Sequence, residues 1–229
     1  MRLFCFPFAG GGASAFRQLG LSLPKEIEVC PVQLPGREDR LAEEPLSSIT
    51  EILDGLVPAL RPNLELPYAF FGHSMGALIA FEAARRLAEE GTLLPRHIFA
   101  SAHRAPHMED RDPPLHGLPQ DEFVERVKKY SATPDDVFAD PELLDIFLPI
   151  LRADFTVCET YTYQPGRLLP CPLSAWGGID DDTVDSTELE GWRNHTSGKF
   201  NSQFFPGGHF YLRGAEPHLA ERITGELIS

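Results

Sequence analysis

The sequence predicts the α/β class: a mostly parallel central sheet with helices on both faces and a helical insertion. Three observations predict it. Short apolar runs bounded by Gly or Pro alternate with helical periodicity along most of the chain. The segment Gly72-His-Ser-Met-Gly76 joins one such run to a long helical stretch. A second glycine loop, Pro206-Gly-Gly-His-Phe210, separates the last run from the last helix.

Strands are expected at 2–8, 28–34, 67–72, 97–102, 172–177 and 203–205. Each is short, apolar and punctuated at its ends. Helices are expected at 50–60, 75–90 and 216–228. In the second of these, Leu78, Ile79, Phe81, Ala83 and Leu87 place a broad apolar stripe on one side. Strand and helix in alternation imply parallel strands joined by right-handed crossovers. The rhythm breaks once. Residues 107–164 carry no strand pattern but two helical ones, at 120–130 and 141–163, the latter expected to kink at Pro149. An insertion there can roof the functional end of the sheet, with Phe123, Val127, Leu143, Leu144, Phe147, Leu151 and Phe155 as its apolar side chains. Pro149 and the loop around Asp110–Pro114 motivate the further hypothesis that this lid moves.

The 229 residues suit a single domain, 1–229, with this one insertion. Apolar residues at 42% and charged residues at 24% exclude a disordered chain. A net charge of −14 argues against nucleic acid and anionic membrane as partners, since phosphate binding needs a basic surface. No run approaches the roughly 20 apolar residues of a membrane helix. The first residues lack the pattern of a signal peptide. A cytoplasmic monomer with reduced cysteines is expected.

The chemistry begins at Ser74. Gly-x-Ser-x-Gly alone is a weak pattern, but strand before and helix after make it a nucleophile elbow. The glycines let strand and helix pass closely, and the serine sits at a helix N-terminus, where N–H groups favour negative charge. A serine hydroxyl needs a base. Among eight histidines, His209 stands on a glycine loop at the C-terminal end of a strand, where open α/β sheets place function. His73 is expected to point away from the chemistry. His103 and His107 have metal-like spacing but no further ligand set, so no metal is expected. The acid belongs between Ser74 and His209, because the α/β-hydrolase order is Ser, Asp/Glu, His. Asp180, Asp181 and Asp182 follow the fifth strand, and an extended loop there would let only one of the first two face the histidine.

Ala9-Gly-Gly-Gly12 follows the first strand. Gly10, Gly12 and Ala15 also fit a dinucleotide fingerprint, but the next strand ends without the ribose-binding acid. The loop instead suits an oxyanion hole, with the N–H groups of Ala9 and Met75 as donors.

Five motifs now stand in order: Phe6-Pro-Phe-Ala-Gly-Gly, Gln33-Leu-Pro-Gly-Arg-Glu38, Gly72-His-Ser-Met-Gly-Ala77, Gly178-Ile-Asp-Asp and Pro206-Gly-Gly-His-Phe210. Together they resemble the type II thioesterases of modular polyketide and nonribosomal peptide synthesis, relatives of the fatty-acid-synthase thioesterase II. The resemblance implies an α/β-hydrolase that removes stalled acyl groups from the phosphopantetheine arm of acyl or peptidyl carrier proteins. It implies Ser74, Asp181 and His209 as the triad, and no cofactor beyond the pantetheine carried by the substrate. The family's spacing of Gly178, Asp181 and Val184 selects Asp181 among the three aspartates. The family's Trp after the glycine loop is replaced here by Arg17-Gln-Leu19, which bears on the substrate channel. Carrier docking is expected through a local basic patch among Arg37, Arg40, Arg104 and Arg152. A carboxylesterase or lipase with the same triad, and a non-catalytic acyl-binding protein of the same fold, are the rival readings.

Overall fold

A computed structural model describes residues 1–130, 138 and 140–228. Six strands form one sheet: β1 (Arg2–Phe6), β2 (Glu28–Pro31), β3 (Tyr68–His73), β4 (Ile98–Ser101), β5 (Leu173–Gly178) and β6 (Phe200–Phe205). Their order is β2-β1-β3-β4-β5-β6, and every neighbouring pair is parallel. The helices are α1 (Arg17–Ser22), α2 (Ile49–Leu60), α3 (Met75–Glu89), α4 (Gln120–Tyr130), α5 (Pro141–Thr160), α6 (Ser186–Glu190) and α7 (Glu216–Ile228). The parallel sheet covered on both faces is the architecture the alternating pattern predicts.

Strand alternation divides the core. Phe4, Phe6 and Phe70 face one side, where Ile52, Leu53 and Val57 of α2 and Ile79, Ala80 and Ala83 of α3 cover them. Leu3, Cys5, Ala69 and Phe71 face the other, under Leu19 of α1 and Leu219 and Ile223 of α7. Among the described residues no helix is long and apolar enough to cross a membrane.

Several boundaries differ from the sequence reading for local reasons. β1 stops at Phe6 because Pro7 lacks a ladder N–H, and β2 stops at Pro31. β6 begins at Phe200, three residues before the expected start, because Asn201 and Ser202 interrupt the apolar run. The short helix α1 escaped prediction, since Gly20 interrupts its pattern. α5 continues through Pro149 as one element and ends at Thr160. Of the expected insertion at 107–164, residues 131–137 and 139 lie outside the described residues.

The sheet reverses its order at β1, with β2 on one side and β3 on the other. Loops leaving the C-terminal ends of two such neighbours diverge and leave a crevice, the usual ligand position in this class. The glycine loop leaves β1 there, and Ser74 leaves β3.

Candidate active site

Ser74 occupies the turn between β3 and α3 at φ 53°, ψ −122°. A non-glycine residue held there costs of order 1–3 kcal/mol. Its surroundings impose the conformation. The Ser74 N–H donates to the Ser101 carbonyl at 2.7 Å, and the Ser74 carbonyl accepts from the Ala77 N–H at 2.8 Å. Both motif glycines are required by close approach. A Cβ on Gly72 would lie 2.1 Å from the Gly76 carbonyl oxygen, and one on Gly76 would lie 2.0 Å from that of Phe6. The second contact also shows that the end of β1 abuts the first turn of α3.

His209 enters from the loop after β6. Its Nε2 lies 3.0 Å from Ser74 Oγ, and its Nδ1 lies 2.9 Å from Asp181 Oδ2. With the ring proton on Nδ1 donated to the carboxylate, Nε2 is left to accept from the serine hydroxyl. The acid and histidine loops lie against each other: a Cβ on Gly178 would meet the Gly208 carbonyl oxygen at 2.2 Å, and the Asp180 N–H donates to the Gly207 carbonyl at 2.9 Å.

The structure thus brings together Ser74, Asp181 and His209. The supposed extended loop is instead a tight turn, in which the Asp181 N–H reaches back to the Gly178 carbonyl. Asp180 and Asp182 are exposed, whereas the Asp181 side chain is 0% exposed. Thr183, which sequence reasoning did not single out, completes the carboxylate shell. Its N–H and Oγ1 donate to Asp181 Oδ1 at 2.9 and 2.6 Å. The signal was available, because an Asp side chain commonly accepts from the backbone two residues on. Burial opposes ionisation of Asp181, yet the bonds and charge of His209 and the two bonds from Thr183 outweigh it. The carboxyl is left below its ordinary pKa.

Met75 opens α3, where the first N–H groups have no partner within the helix. Ala9 lines the cavity in front of Ser74. The Phe8 carbonyl accepts from the Gly11 N–H at 2.9 Å. In a trans peptide the next N–H, that of Ala9, points the opposite way.

That cavity is about 130 Å³ and runs from Ser74 and His209 between Ala102, Leu115, Val127, Leu151, Phe155 and Val184. Only part of the predicted apolar set lines it. Val127, Leu151 and Phe155 do so; Phe123 is buried against Phe155, Leu144 and Phe147 are half-buried away from the lining, and Leu143 is exposed. The first turns of α5 therefore present apolar side chains outward, and its later turns supply the wall.

His73 points away from the serine, as expected. It is buried, with Nδ1 2.8 Å from Ser101 Oγ, which in turn lies 2.6 Å from the Tyr211 hydroxyl. His103 borders the cavity, while His107 turns away to place Nδ1 2.7 Å from His195 Nε2. The four arginines expected to form a basic patch each have a partner. Arg37 is buried against Asp154, Arg40 pairs with Glu43, Arg104 pairs with Asp110, and Arg152 donates to the His116 and Leu118 carbonyls. Each cation is consumed by a local acceptor, a fate that charge counting does not reveal.

A parallel sheet with a serine elbow, a histidine loop and an acid after the penultimate strand defines a serine hydrolase of the α/β-hydrolase fold. The model of the thioesterase domain matches residues 1–227, and the chain belongs to this family. It is 42% identical to the gramicidin S biosynthesis protein GrsT of Aneurinibacillus migulanus over 99% of this chain and 89% of that protein. Among solved structures, RedJ, a thioesterase from the prodiginine pathway of Streptomyces coelicolor, superposes with a TM-score of 0.91 at 38% identity, covering 99% of this chain and 85% of that one. BorB, the type II thioesterase of the borrelidin cluster, gives 0.88 at 37% identity over 100% and 91%. The resemblance carried by the five motifs therefore holds.

Proposed function

We propose that this thioesterase hydrolyses acyl groups from the phosphopantetheine arms of carrier proteins in polyketide or nonribosomal peptide synthesis, through an acyl-Ser74 intermediate. The observation that carries the reading is the line Ser74–His209–Asp181 opening onto a cavity walled in part by Leu115, Val127, Leu151, Phe155 and Val184. The relatives' own roles, in gramicidin S, prodiginine and borrelidin biosynthesis, supply the pathway class.

In this reading His209 Nε2 takes the Ser74 proton as Oγ attacks the thioester carbonyl. Asp181 keeps the imidazole oriented and stabilises its charged form. The Ala9 and Met75 N–H groups receive the oxyanion, where loss of one donor costs on the order of 100- to 1000-fold in kcat. The intermediate collapses, and His209 gives the proton to the departing pantetheine thiolate. Water, deprotonated by His209, then attacks the acyl-serine and releases the acid. Pantetheine belongs to the substrate, so the chain itself supplies every proton transfer. The later turns of α5, through Leu151 and Phe155, serve as the roof over the acyl group.

Hydrolysis rates on acyl-carrier proteins, acyl-CoA and simple oxygen esters test the proposal. A strong preference for carrier-bound thioesters is expected; equal or greater rates on oxygen esters would favour an esterase, and no labelling by a fluorophosphonate would favour a binder. Ser74→Ala should abolish turnover and keep carrier binding. Asp181→Asn should lose several orders of magnitude in kcat, and Asp180→Asn and Asp182→Asn little.

A further inference from the structure

The motif Gln33-Leu-Pro-Gly-Arg-Glu38 contributes no atom to the proposed chemistry, yet its polar side chains all turn to the glycine loop after β1. Gln33 Oε1 accepts from the Ala13 N–H at 2.7 Å, and Gln33 Nε2 donates to the Arg37 carbonyl at 2.9 Å. Glu38 Oε1 accepts from Ser14 Oγ at 2.6 Å. These contacts hold the far end of the loop. The near end, beside Ala9, is held differently.

Arg37 and Asp154 are 4% and 0% exposed. Arg37 Nη1 and Nη2 bind the two carboxylate oxygens at 2.6 and 2.8 Å, a bidentate pair. The same Asp154 Oδ2 accepts the Gly10 N–H at 2.7 Å, and Arg37 Nη1 also donates to the Gly11 carbonyl at 3.2 Å. Burial raises the Asp154 carboxyl pKa, and the guanidinium and the Gly10 N–H counter that rise. One turn earlier on α5, Leu151 presses on the loop: a Cβ on Gly10 would lie 2.7 Å from its Cδ2. Leu151 and Phe155, on either side of Asp154 in sequence, are cavity wall.

We propose that Arg37 and Asp154 are positioning residues that clamp the Ala9–Gly11 backbone to helix α5 and so fix the Ala9 N–H in the oxyanion hole. The peptide after Ala9 is held by the Gly10 N–H bond to Asp154. The peptide before it is held by the Phe8 carbonyl, whose donor Gly11 is in turn held by Arg37. Gly10, at φ +75°, has no side chain to resist rotation, so the clamp replaces the stiffness the loop lacks. A pair buried this fully is poor evidence for stabilisation alone, because apolar replacements of both partners are commonly tolerated. Its placement at an oxyanion donor gives it a use. The later turns of α5 are thereby fastened to the catalytic end of the sheet.

This inference rests on Ser74 as the acylated nucleophile and is independent of the carrier protein. The test uses the whole chain with a short acyl-N-acetylcysteamine thioester and a trifluoromethyl ketone, whose serine adduct carries an oxyanion. The variants are Arg37→Met/Asp154→Leu, which removes both charges together, and Arg37→Lys, which keeps a cation beside Asp154 but not the fork. The double variant should fold and lose about 100-fold in kcat, the scale of a displaced donor, with KM little changed. Its inhibition constant for the ketone should rise in parallel, a response that loose packing elsewhere would not produce. Arg37→Lys should show the same pattern to a smaller degree, and it decides the matter alone if the double variant does not fold. Wild-type kcat and ketone affinity in the folded variants, or a loss confined to KM, would overturn the clamp. A wild-type protein inactive on the thioester and unlabelled by fluorophosphonate would overturn the hydrolase reading instead.

Discussion

Thr183 and Asp181 form a closed local unit: the threonine donates both its N–H and its hydroxyl to one carboxylate oxygen, leaving the other oxygen for His209. A buried ionised carboxylate needs such donors, since burial alone would favour the acid form.

Thr183→Val keeps the shape and the N–H but deletes the hydroxyl donor. A hydrogen bond to a charged group contributes about 1.5–3 kcal/mol, so kcat should fall by roughly one to two orders of magnitude. The Asp181 pKa should move up towards its ordinary value. Because the native carboxyl is held low, its contribution to stability is present above the unfolded pKa of about 3.9 and is lost as pH falls through the folded value. The variant should therefore be less stable than the wild type near neutral pH, and the gap should close in acid. A gap that stays constant down to strongly acid pH would contradict the assignment.

The elbow makes a second prediction. Ser74→Gly relieves the positive φ that Ser74→Ala retains, so the glycine variant should be the more stable of two inactive proteins, by roughly 1 kcal/mol. Gly76→Ala should be severely destabilising, because its Cβ would collide with backbone rather than with a movable side chain. Thermal melts of the three variants check both statements; a Gly76→Ala protein with a wild-type melt would show that β1 and α3 can separate.

Buried histidines make the fold sensitive to mild acid. Burial, with Lys199 nearby, pushes His97 down to about 4; burial, with His107 and Arg85, does the same to His195; burial, with Arg104, pushes His103 to about 3. The unfolded chain therefore binds more protons below its ordinary histidine pKa of about 6.5. Stability should fall as pH drops from there towards the folded values, by up to about 1.4 kcal/mol per pH unit for each histidine. Urea titrations at a series of pH values would measure the slope. A flat profile from neutrality to about pH 5 would mean that these rings take up protons in the native state as readily as in the unfolded chain, and would contradict their depressed values.

The residues with obligatory backbone roles were the legible ones. Gly72, Ser74 and Gly76 announce an elbow because strand and helix must nearly touch, and His209 announces itself by its glycine loop. Long-range pairing was not readable. Arg37 and Asp154 are 117 residues apart, and nothing local distinguishes them from surface charges. The expected basic patch had a different cause: Arg40–Glu43 and Arg104–Asp110 are short-range pairs that counting cations leaves out. Along α5 the apolar period identified a helix but not which of its turns face the cavity, since Leu143 and Leu151 are equivalent in sequence and opposite in exposure.

The last prediction concerns acyl selection. Phe155 and Phe210 are the bulkiest apolar side chains lining the cavity, Phe155 from helix α5, and at about 130 Å³ the space in front of Ser74 suits a small group. It is of the order of an apolar cavity known to hold a benzene molecule. Phe155→Ala should lengthen the cavity and move the kcat/KM optimum towards longer acyl chains. The gain per added methylene should be at most about the 0.8 kcal/mol of burying one CH₂, or roughly fourfold. Leu143→Ala, on the outward side of the same helix, is the control and should leave the preference unchanged. Because Phe155 also packs edge-on against buried Phe123, its removal should cost about 3–5 kcal/mol of stability, and rates should be compared below the lowered melting temperature. If chain-length profiles of Phe155→Ala and Leu143→Ala coincide with the wild type, the acyl group lies elsewhere and α5 is not its roof.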